Sequence, residues 1–139
     1  MGEMRLTVRH LGKGSAMECT TPQGAVITFD EPDTGQHGAS PVQHLLSAIG
    51  ACALMDVDVF LRKKRIAFSD LRVDCDAKRR DAPDYPRVLQ EVRLVFHVAG
   101  DVKPKAFEDV VKLAVDKYCS VAGTVVEGAK VSYETVITP

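Results

Sequence analysis

The chain has 139 residues, of which 45% are hydrophobic and 27% are charged, a balance typical of one globular domain with a sizeable core. Eighteen Lys and Arg residues against nineteen Asp and Glu residues leave a net charge of −1, so no overall positive field attracts nucleic acid or anionic membrane. The opening residues, MGEMRLTVRH, contain no basic stretch followed by a long apolar core, and we therefore expect a cytoplasmic protein.

Short strands and turns dominate residues 1–40. Apolar and polar residues alternate over 5–11, and two further short extended segments are predicted over 16–20 and 25–29. Residues 30–40 contain Pro32, Gly35 and Gly38, which interrupt any regular element. This region is predicted to be an N-terminal meander followed by a loop.

A long central helix is predicted over 41–64. Ser40 is a capping residue, and Pro41 follows at the first helical position, where a missing N–H does no harm. Apolar residues surround most of the helix, which predicts burial on nearly all sides, in part against a second copy of the chain. Asp56 and Asp58 interrupt the apolar run, so the pattern favours a buried helix over a membrane span.

The second half is predicted to contain a hairpin over 68–99, helices over 104–128 and a closing strand over 129–137. The hairpin follows from alternating apolar positions, and Pro104 begins a helix with one apolar face. Strands and helices in this order indicate one α+β domain over 1–139, with antiparallel sheets packed on helices.

Four cysteines in a reducing compartment are expected to be free thiols. Cys52 lies in the middle of the central helix among small residues that permit close approach to its sulfur, and Cys119 precedes Ser120, where backbone N–H groups favour a thiolate. The alternative for both is that they are small hydrophobic side chains that pack in the core. We expect Cys19 and Cys75 to be structural residues of strands.

Charged side chains and histidines indicate a function less strongly than the cysteines do. Asp56 lies one turn after Cys52 on the same helix face, and Lys117 is a candidate cation near Cys119. His37 and His44 lack the spacing of metal ligands, so no metal is expected.

Three segments together resemble the OsmC/Ohr superfamily, and within it the OsmC-like branch. They are SPVQHLLSAIGACALMDV at 40–57, YPRV at 85–88 and KYCSV at 117–121. The resemblance implies a two-layer α+β fold, with antiparallel sheets around the long central helices of an intertwined homodimer. It also implies active sites at the subunit interface.

The activity implied by the resemblance is reduction of organic hydroperoxides. Cys52 is then the residue that attacks the peroxide and becomes a sulfenic acid, and Cys119 resolves it as a disulfide that a dithiol later reduces. We expect Gln43, Asp56 and Lys117 to contact substrate. The implied partners are a second copy of the chain, a small hydroperoxide and a dithiol reductant, with no cofactor, nucleic acid or membrane.

Two departures from the peroxidase pattern keep an alternative open. Val42 stands where those members have Glu, Gln43 stands where a related branch often has a carboxylate, and no arginine lies between Arg9 and Arg62. The alternative function is a non-catalytic dimer that binds small molecules or senses redox state.

Overall fold

The structure is a computed structural model that describes residues 2–33 and 35–139. The chain divides into two compact units, Met1–Leu45 and Leu46–Pro139. The long helix begins in the first unit and continues through the second. Each unit is described below by itself.

The N-terminal unit is a three-stranded antiparallel meander. Its strands are β1 (Thr7–His10), β2 (Met17–Thr20) and β3 (Val26–Phe29), hydrogen-bonded in the order β1-β2-β3. Gly12 has a φ of 77° in the β1–β2 turn, a backbone conformation that glycine adopts without strain. All three strands lie within residues 1–40, the segment in which the sequence predicts short strands.

Helix α1 (Pro41–Lys63) begins with a reciprocal pair of side-chain hydrogen bonds. The backbone N–H of Gln43 donates to Ser40 Oγ at 3.2 Å, and the backbone N–H of Ser40 donates to Gln43 Oε1 at 2.9 Å. This capping box satisfies two N–H groups that the first helical turn leaves without partners. Arg62 and Lys63 lie in the last turn, where positive charge is favourable.

Within the single chain one stripe of α1 is buried, and the expected burial of its other sides against a second copy stays a prediction. The stripe consists of Ile49, Gly50, Ala53, Val57 and Leu61. On another side of the helix, Met55 is 69% exposed, because the chain's own sheet covers only one face. By length and composition alone α1 is also apolar enough to cross a membrane, a test that core helices of soluble proteins pass as well.

The C-terminal unit contains a second three-stranded sheet, formed by β4 (Asp70–Arg79), β5 (Leu89–Ala99) and β6 (Lys130–Thr138) in that order. Strands β4 and β5 are the antiparallel hairpin predicted over 68–99. Strand β6 runs parallel to β5, so the expectation of purely antiparallel sheets is wrong for this pair. The helices between β5 and β6 provide the long crossover that a parallel pair requires.

Three helical segments form this crossover. They are α2 (Pro104–Leu113), a π-helical segment (Ala114–Tyr118) and α3 (Ser120–Val125). The backbone N–H of Cys119 donates to the carbonyl of Ala114 at 2.8 Å, an i to i−5 bond that closes the wider π turn. Together the strands and helices make the α+β fold that the sequence predicts.

Candidate active site

Cys119 lies in the turn between the π-helical segment and α3, and its side chain caps α3. Its Sγ accepts a hydrogen bond from the backbone N–H of Ala122 at 3.3 Å. Its S–H points to the carbonyl of Ile49 in α1 at 3.8 Å. Only 3% of Cys119 is exposed, so the thiol is held between two backbone segments.

The second thiol of the candidate site belongs to Cys52, which lies one turn of α1 after Ile49. The Cys52 side chain is half-buried and lies close enough to the Cys119 thiol to raise its pKa. Both cysteines are free thiols. Residues 67 positions apart in the sequence, as 119 − 52, thus meet through the contact of α1 with the start of α3.

Burial and the neighbouring Cys52 raise the pKa of the Cys119 thiol to about 11. Hydrogen bonds from the backbone N–H groups of Ala122 and Val121 act in the opposite direction and lower it. The sequence predicted N–H groups near this sulfur, and they are present. As the sequence predicts, they favour the thiolate, but loss of hydration outweighs them, so the net pKa of Cys119 is raised.

Contacts on both sides hold the segment that carries Cys119. The ring of Tyr118 packs edge-on against Phe60 of α1, with centroids 5.3 Å apart. Asp116 accepts hydrogen bonds from Lys112 Nζ at 2.8 Å and from the Tyr133 hydroxyl of β6 at 3.2 Å. The π-helical segment is therefore tied to both α1 and the sheet.

The three expected substrate contacts lie in different settings. Gln43 has its side-chain oxygen in the capping box of α1. Asp56 is half-buried one turn after Cys52, and within residues 2–33 and 35–139 it forms no ion pair. Lys117 is exposed, with Nζ 5.4 Å from the Tyr118 ring centroid, and it is not among the groups that shift the pKa of Cys119.

The other candidate residues lie elsewhere. His44 Nε2 is 2.6 Å from the carbonyl of Thr28, and its ring packs on Phe29. Among the residues described, no group of three or more His, Cys, Asp and Glu side chains is arranged to hold a metal ion. Cys19 is buried in β2, and Cys75 packs against α1, as expected of structural residues.

Ile49, Ala122 and Tyr118 are the contributors to this site that the sequence did not single out. Ile49 and Ala122 act through their backbones, which carry no residue-specific signal. Tyr118 falls within the helices predicted over 104–128, and nothing in the sequence indicates the π turn that directs its ring towards Phe60.

Comparison with known proteins identifies the family of the chain. The profile of the OsmC-like protein family matches residues 33–134. The chain is 35% identical over 107 residues to Protein YhfA of Escherichia coli K12, covering 75% of this chain and 78% of that protein. It is 30% identical to a hypothetical protein of Aquifex aeolicus whose crystal structure superposes with a TM-score of 0.82 over the full length of both chains.

A second similar structure is that of the organic hydroperoxide resistance protein OhrB of Bacillus subtilis. Its TM-score is 0.68 at 20% identity, covering 95% of this chain and 98% of that one. An α+β fold shared with OsmC-like proteins is the class that these observations define. The chain belongs to the OsmC-like protein family.

Proposed function

We propose that this protein reduces organic hydroperoxides with the thiols of Cys52 and Cys119, in a role in the oxidative stress response. The observation that carries the proposal is that the two free thiols are neighbours at the junction of α1 and α3, near enough for Cys52 to raise the pKa of Cys119. Two neighbouring thiols can be converted into a disulfide with little movement of the backbone.

The reaction balances as follows. The Cys52 thiolate attacks the outer oxygen of the hydroperoxide, breaks the O–O bond and becomes a sulfenic acid, while the alkoxide leaves and takes a proton to form an alcohol. The Cys119 thiol then attacks the Cys52 sulfur, and water leaves as the disulfide forms. A dithiol restores both thiols by two exchange steps.

The assignment of roles rests on exposure. Cys52 is half-buried and keeps some access to solvent, whereas Cys119 is buried and holds its proton through neutral pH. The more accessible sulfur is the one that a peroxide can reach, because the attacked oxygen must approach within bonding distance. The similar protein from Bacillus subtilis is named for organic hydroperoxide resistance, which supports the same substrate class.

We propose that the protein works as a homodimer whose interface includes α1. In the most apolar 18-residue stretch of this helix, only 28% of the residues are buried by the chain itself. Exposed Ala48, Ala51 and Met55 surround the turn that carries Cys52. A second copy that covers this face would remove apolar surface from water and enclose the thiols.

A dimer would also bring charged groups to the site. Among the residues described, the groups that shift the pKa of Cys119 include no lysine or arginine. Asp56 is without an ion pair among the residues described. A cation of the second copy beside Asp56 and Cys52 would stabilise both the carboxylate and a thiolate.

The test is steady-state consumption of an alkyl hydroperoxide in the presence of excess dithiol. We expect turnover by the wild type, no turnover by Cys52→Ser, and slow turnover with accumulating sulfenic acid by Cys119→Ser. Cys75→Ser is the matched control, because this thiol is also half-buried but lies against Gly50. Equal turnover by wild type and Cys52→Ser would exclude the proposed function.

A second candidate function is binding of small molecules without catalysis. The favouring observation is that Gln43, at the position where a related branch often has a carboxylate, uses its side chain to cap α1. This function predicts that alkyl hydroperoxide leaves the intact mass unchanged and that an apolar ligand raises the melting temperature.

A further inference from the structure

The π turn directly before Cys119 determines where the side chain of this cysteine lies. The backbone N–H of Cys119 closes the turn by donating to the carbonyl of Ala114. At Cys119 the backbone becomes extended, with φ −70° and ψ 101°, and its Sγ caps α3. A change in the π turn would therefore displace this sulfur. Single π turns within helices are frequent at functional sites.

Asp116, at the centre of the π turn, joins the turn to the sheet. Its Oδ2 accepts a hydrogen bond at 3.2 Å from the hydroxyl of Tyr133, which lies on β6 and is paired with Leu94 of β5. Burial and the Asp116 carboxylate raise the pKa of Tyr133, so the hydroxyl keeps its proton and remains the donor. One bond between side chains thus connects the sheet to the turn that ends at Cys119.

The second partner of Asp116 does not reach the sheet. Lys112 Nζ donates to Asp116 Oδ2 at 2.8 Å, but Lys112 lies four residues earlier in the same run of helical segments. A pair at this spacing supports the helix locally and does not fix its distance from the sheet. The bond to Tyr133 is therefore the one that holds the π turn on β6.

The sheet is a common support for both thiols. Helix α1 packs on β4 where Gly50, two residues before Cys52, lies against Cys75. The π turn is bonded to β6 at Asp116, three residues before Cys119. Each thiol therefore lies within three residues of a contact with the same sheet, which keeps the two thiols in a fixed relation.

We propose that Asp116 and Tyr133 are positioning residues, which hold the π turn on β6 so that Cys119 Sγ stays within reach of Cys52. This inference rests on the proposed function and concerns its resolving step. In that step the sulfurs of Cys119 and Cys52 form a bond, and the S–O bond of the Cys52 sulfenic acid breaks. The hydroxyl leaves as water with the proton of the Cys119 thiol.

Asp116 acts on Cys119 through position and not through charge. In the part of the chain that the structure describes, burial, the backbone N–H groups of α3 and Cys52 shift the pKa of Cys119, and Asp116 does not contribute. A changed titration of Cys119 after loss of the Tyr133 hydroxyl would thus report movement of the sulfur. Burial is the largest cause of the raised pKa, so movement that admits water lowers it.

Movement of Cys119 has two opposite effects on the resolving step. A lower pKa gives more thiolate at pH 8, by about tenfold for each pH unit. Displacement of a reacting group by about 1 Å costs about 100-fold in rate. Loss of position therefore outweighs the gain in thiolate, and the resolving step slows.

The experiment compares Tyr133→Phe, which removes only the hydroxyl, with Lys112→Met as the matched control. Lys112→Met removes the other partner of Asp116 and leaves the bond to β6 in place. The first measurement is the rate at which iodoacetamide alkylates Cys119 in the reduced, folded protein as a function of pH, without hydroperoxide. The second adds alkyl hydroperoxide and dimedone, and mass spectrometry measures the dimedone label on unresolved Cys52 sulfenic acid.

We expect alkylation of Cys119 at pH 8 to be about tenfold faster in Tyr133→Phe than in the wild type, levelling at a lower pH. We expect more dimedone label on Cys52 in this variant, and wild-type behaviour of Lys112→Met in both measurements. An unchanged alkylation profile in Tyr133→Phe, or the same change in Lys112→Met, would overturn the inference.

Two substitutions of Asp116 separate position from charge. Asp116→Asn keeps an oxygen that accepts from the Tyr133 hydroxyl, so we expect alkylation of Cys119 near the wild-type rate, whereas Asp116→Ala should reproduce Tyr133→Phe. Equal changes in Asp116→Asn and Asp116→Ala would overturn the positional role. If hydroperoxide gives the wild type neither a disulfide nor a dimedone label, the proposed function fails, and the alkylation profiles still decide whether the π turn positions Cys119.

Discussion

Gly50 of α1 and Cys75 of β4 approach so closely that no side chain fits between them. A Cβ on Gly50 would overlap Cys75 Sγ and lie 3.2 Å from Val73 Cγ1. Glycine in a helix interior lowers stability relative to alanine. Gly50 therefore weakens the helix itself but allows α1 to pack closely on the sheet. The contact fixes the helix turn that also carries Cys52.

We expect Gly50→Ala to lower the free energy of unfolding by about 1–3 kcal/mol, because the added methyl group forces Cys75 or the helix to move. The measurement is urea denaturation followed by circular dichroism. Gly123→Ala in α3 is the matched control, since a Cβ there meets no atom within 4 Å. We expect this control to be neutral or to stabilise by up to about 1 kcal/mol. Destabilisation by the control but not by Gly50→Ala would contradict the packing argument.

The capping box at the start of α1 gives a second prediction. Gln43→Ala removes the acceptor of the Ser40 N–H and should lower the free energy of unfolding by about 0.5–1.5 kcal/mol. Gln43→Glu keeps the acceptor and adds negative charge at a helix N-terminus, so we expect it to stabilise by about 0.3–1 kcal/mol at neutral pH.

Gln23→Ala, in the exposed turn between β2 and β3, is the control for loss of a glutamine side chain. The same variants distinguish capping from substrate contact. If Gln43 serves only the helix, Gln43→Ala leaves the KM for hydroperoxide unchanged. A large increase in KM with unchanged stability would instead assign it to the substrate site.

The alkylation rate of Cys119 gives a third prediction. With its pKa at about 11 instead of 9.0, this thiol should carry about 100-fold less thiolate at pH 8 than an ordinary cysteine. We therefore expect iodoacetamide to modify Cys119 at least that much more slowly in the folded chain than in the denatured chain. Peptide mapping of the reduced protein measures both rates.

The sign of the pH effect follows from the raised pKa. The Cys119 rate should keep rising with pH beyond pH 9 until it levels near pH 11, because the proton is lost only there. Cys52→Ala removes one cause of the increase, so the levelling point should move to lower pH. A Cys119 rate that levels near pH 9 in the folded wild type would show that burial does not protect the thiol.

The exposed face of α1 gives a fourth prediction. Met55→Glu places a charge on the face that we assign to the homodimer interface, so sedimentation velocity at micromolar concentration should show a shift from dimer towards monomer. Val126→Glu is the matched control, because Val126 is also an exposed hydrophobic residue but lies just after α3. A wild type that sediments as a monomer would contradict the proposed dimer.

Local signals were sufficient to predict where elements begin. Ser40 and Pro41 predict the start of α1 at its observed residue. The predicted end at Lys64 differs by one position from the observed end at Lys63. Alternation over the second half located the hairpin. These features are encoded by residues close together in the chain, so a single sequence is enough.

Features that depend on distant partners were not predictable in the same way. The parallel pairing of β6 with β5 depends on the crossover between them, and alternation is the same in either direction. The π turn before Cys119 and the N–H of Ala122 involve backbone atoms, which no side-chain pattern reveals. The meeting of Cys52 and Cys119 was implied only by family resemblance, because a spacing of 67 residues carries no information about contact.

Oxidation of the reduced protein by one equivalent of alkyl hydroperoxide tests the central claim most directly. We predict that the intact mass falls by about 2 Da and that peptide mapping finds a Cys52–Cys119 disulfide, with Cys19 and Cys75 still reduced. In Cys119→Ser the mass should instead rise by about 16 Da, as Cys52 retains the oxygen of a sulfenic acid. An unchanged mass, or a disulfide that involves Cys75, would contradict the account.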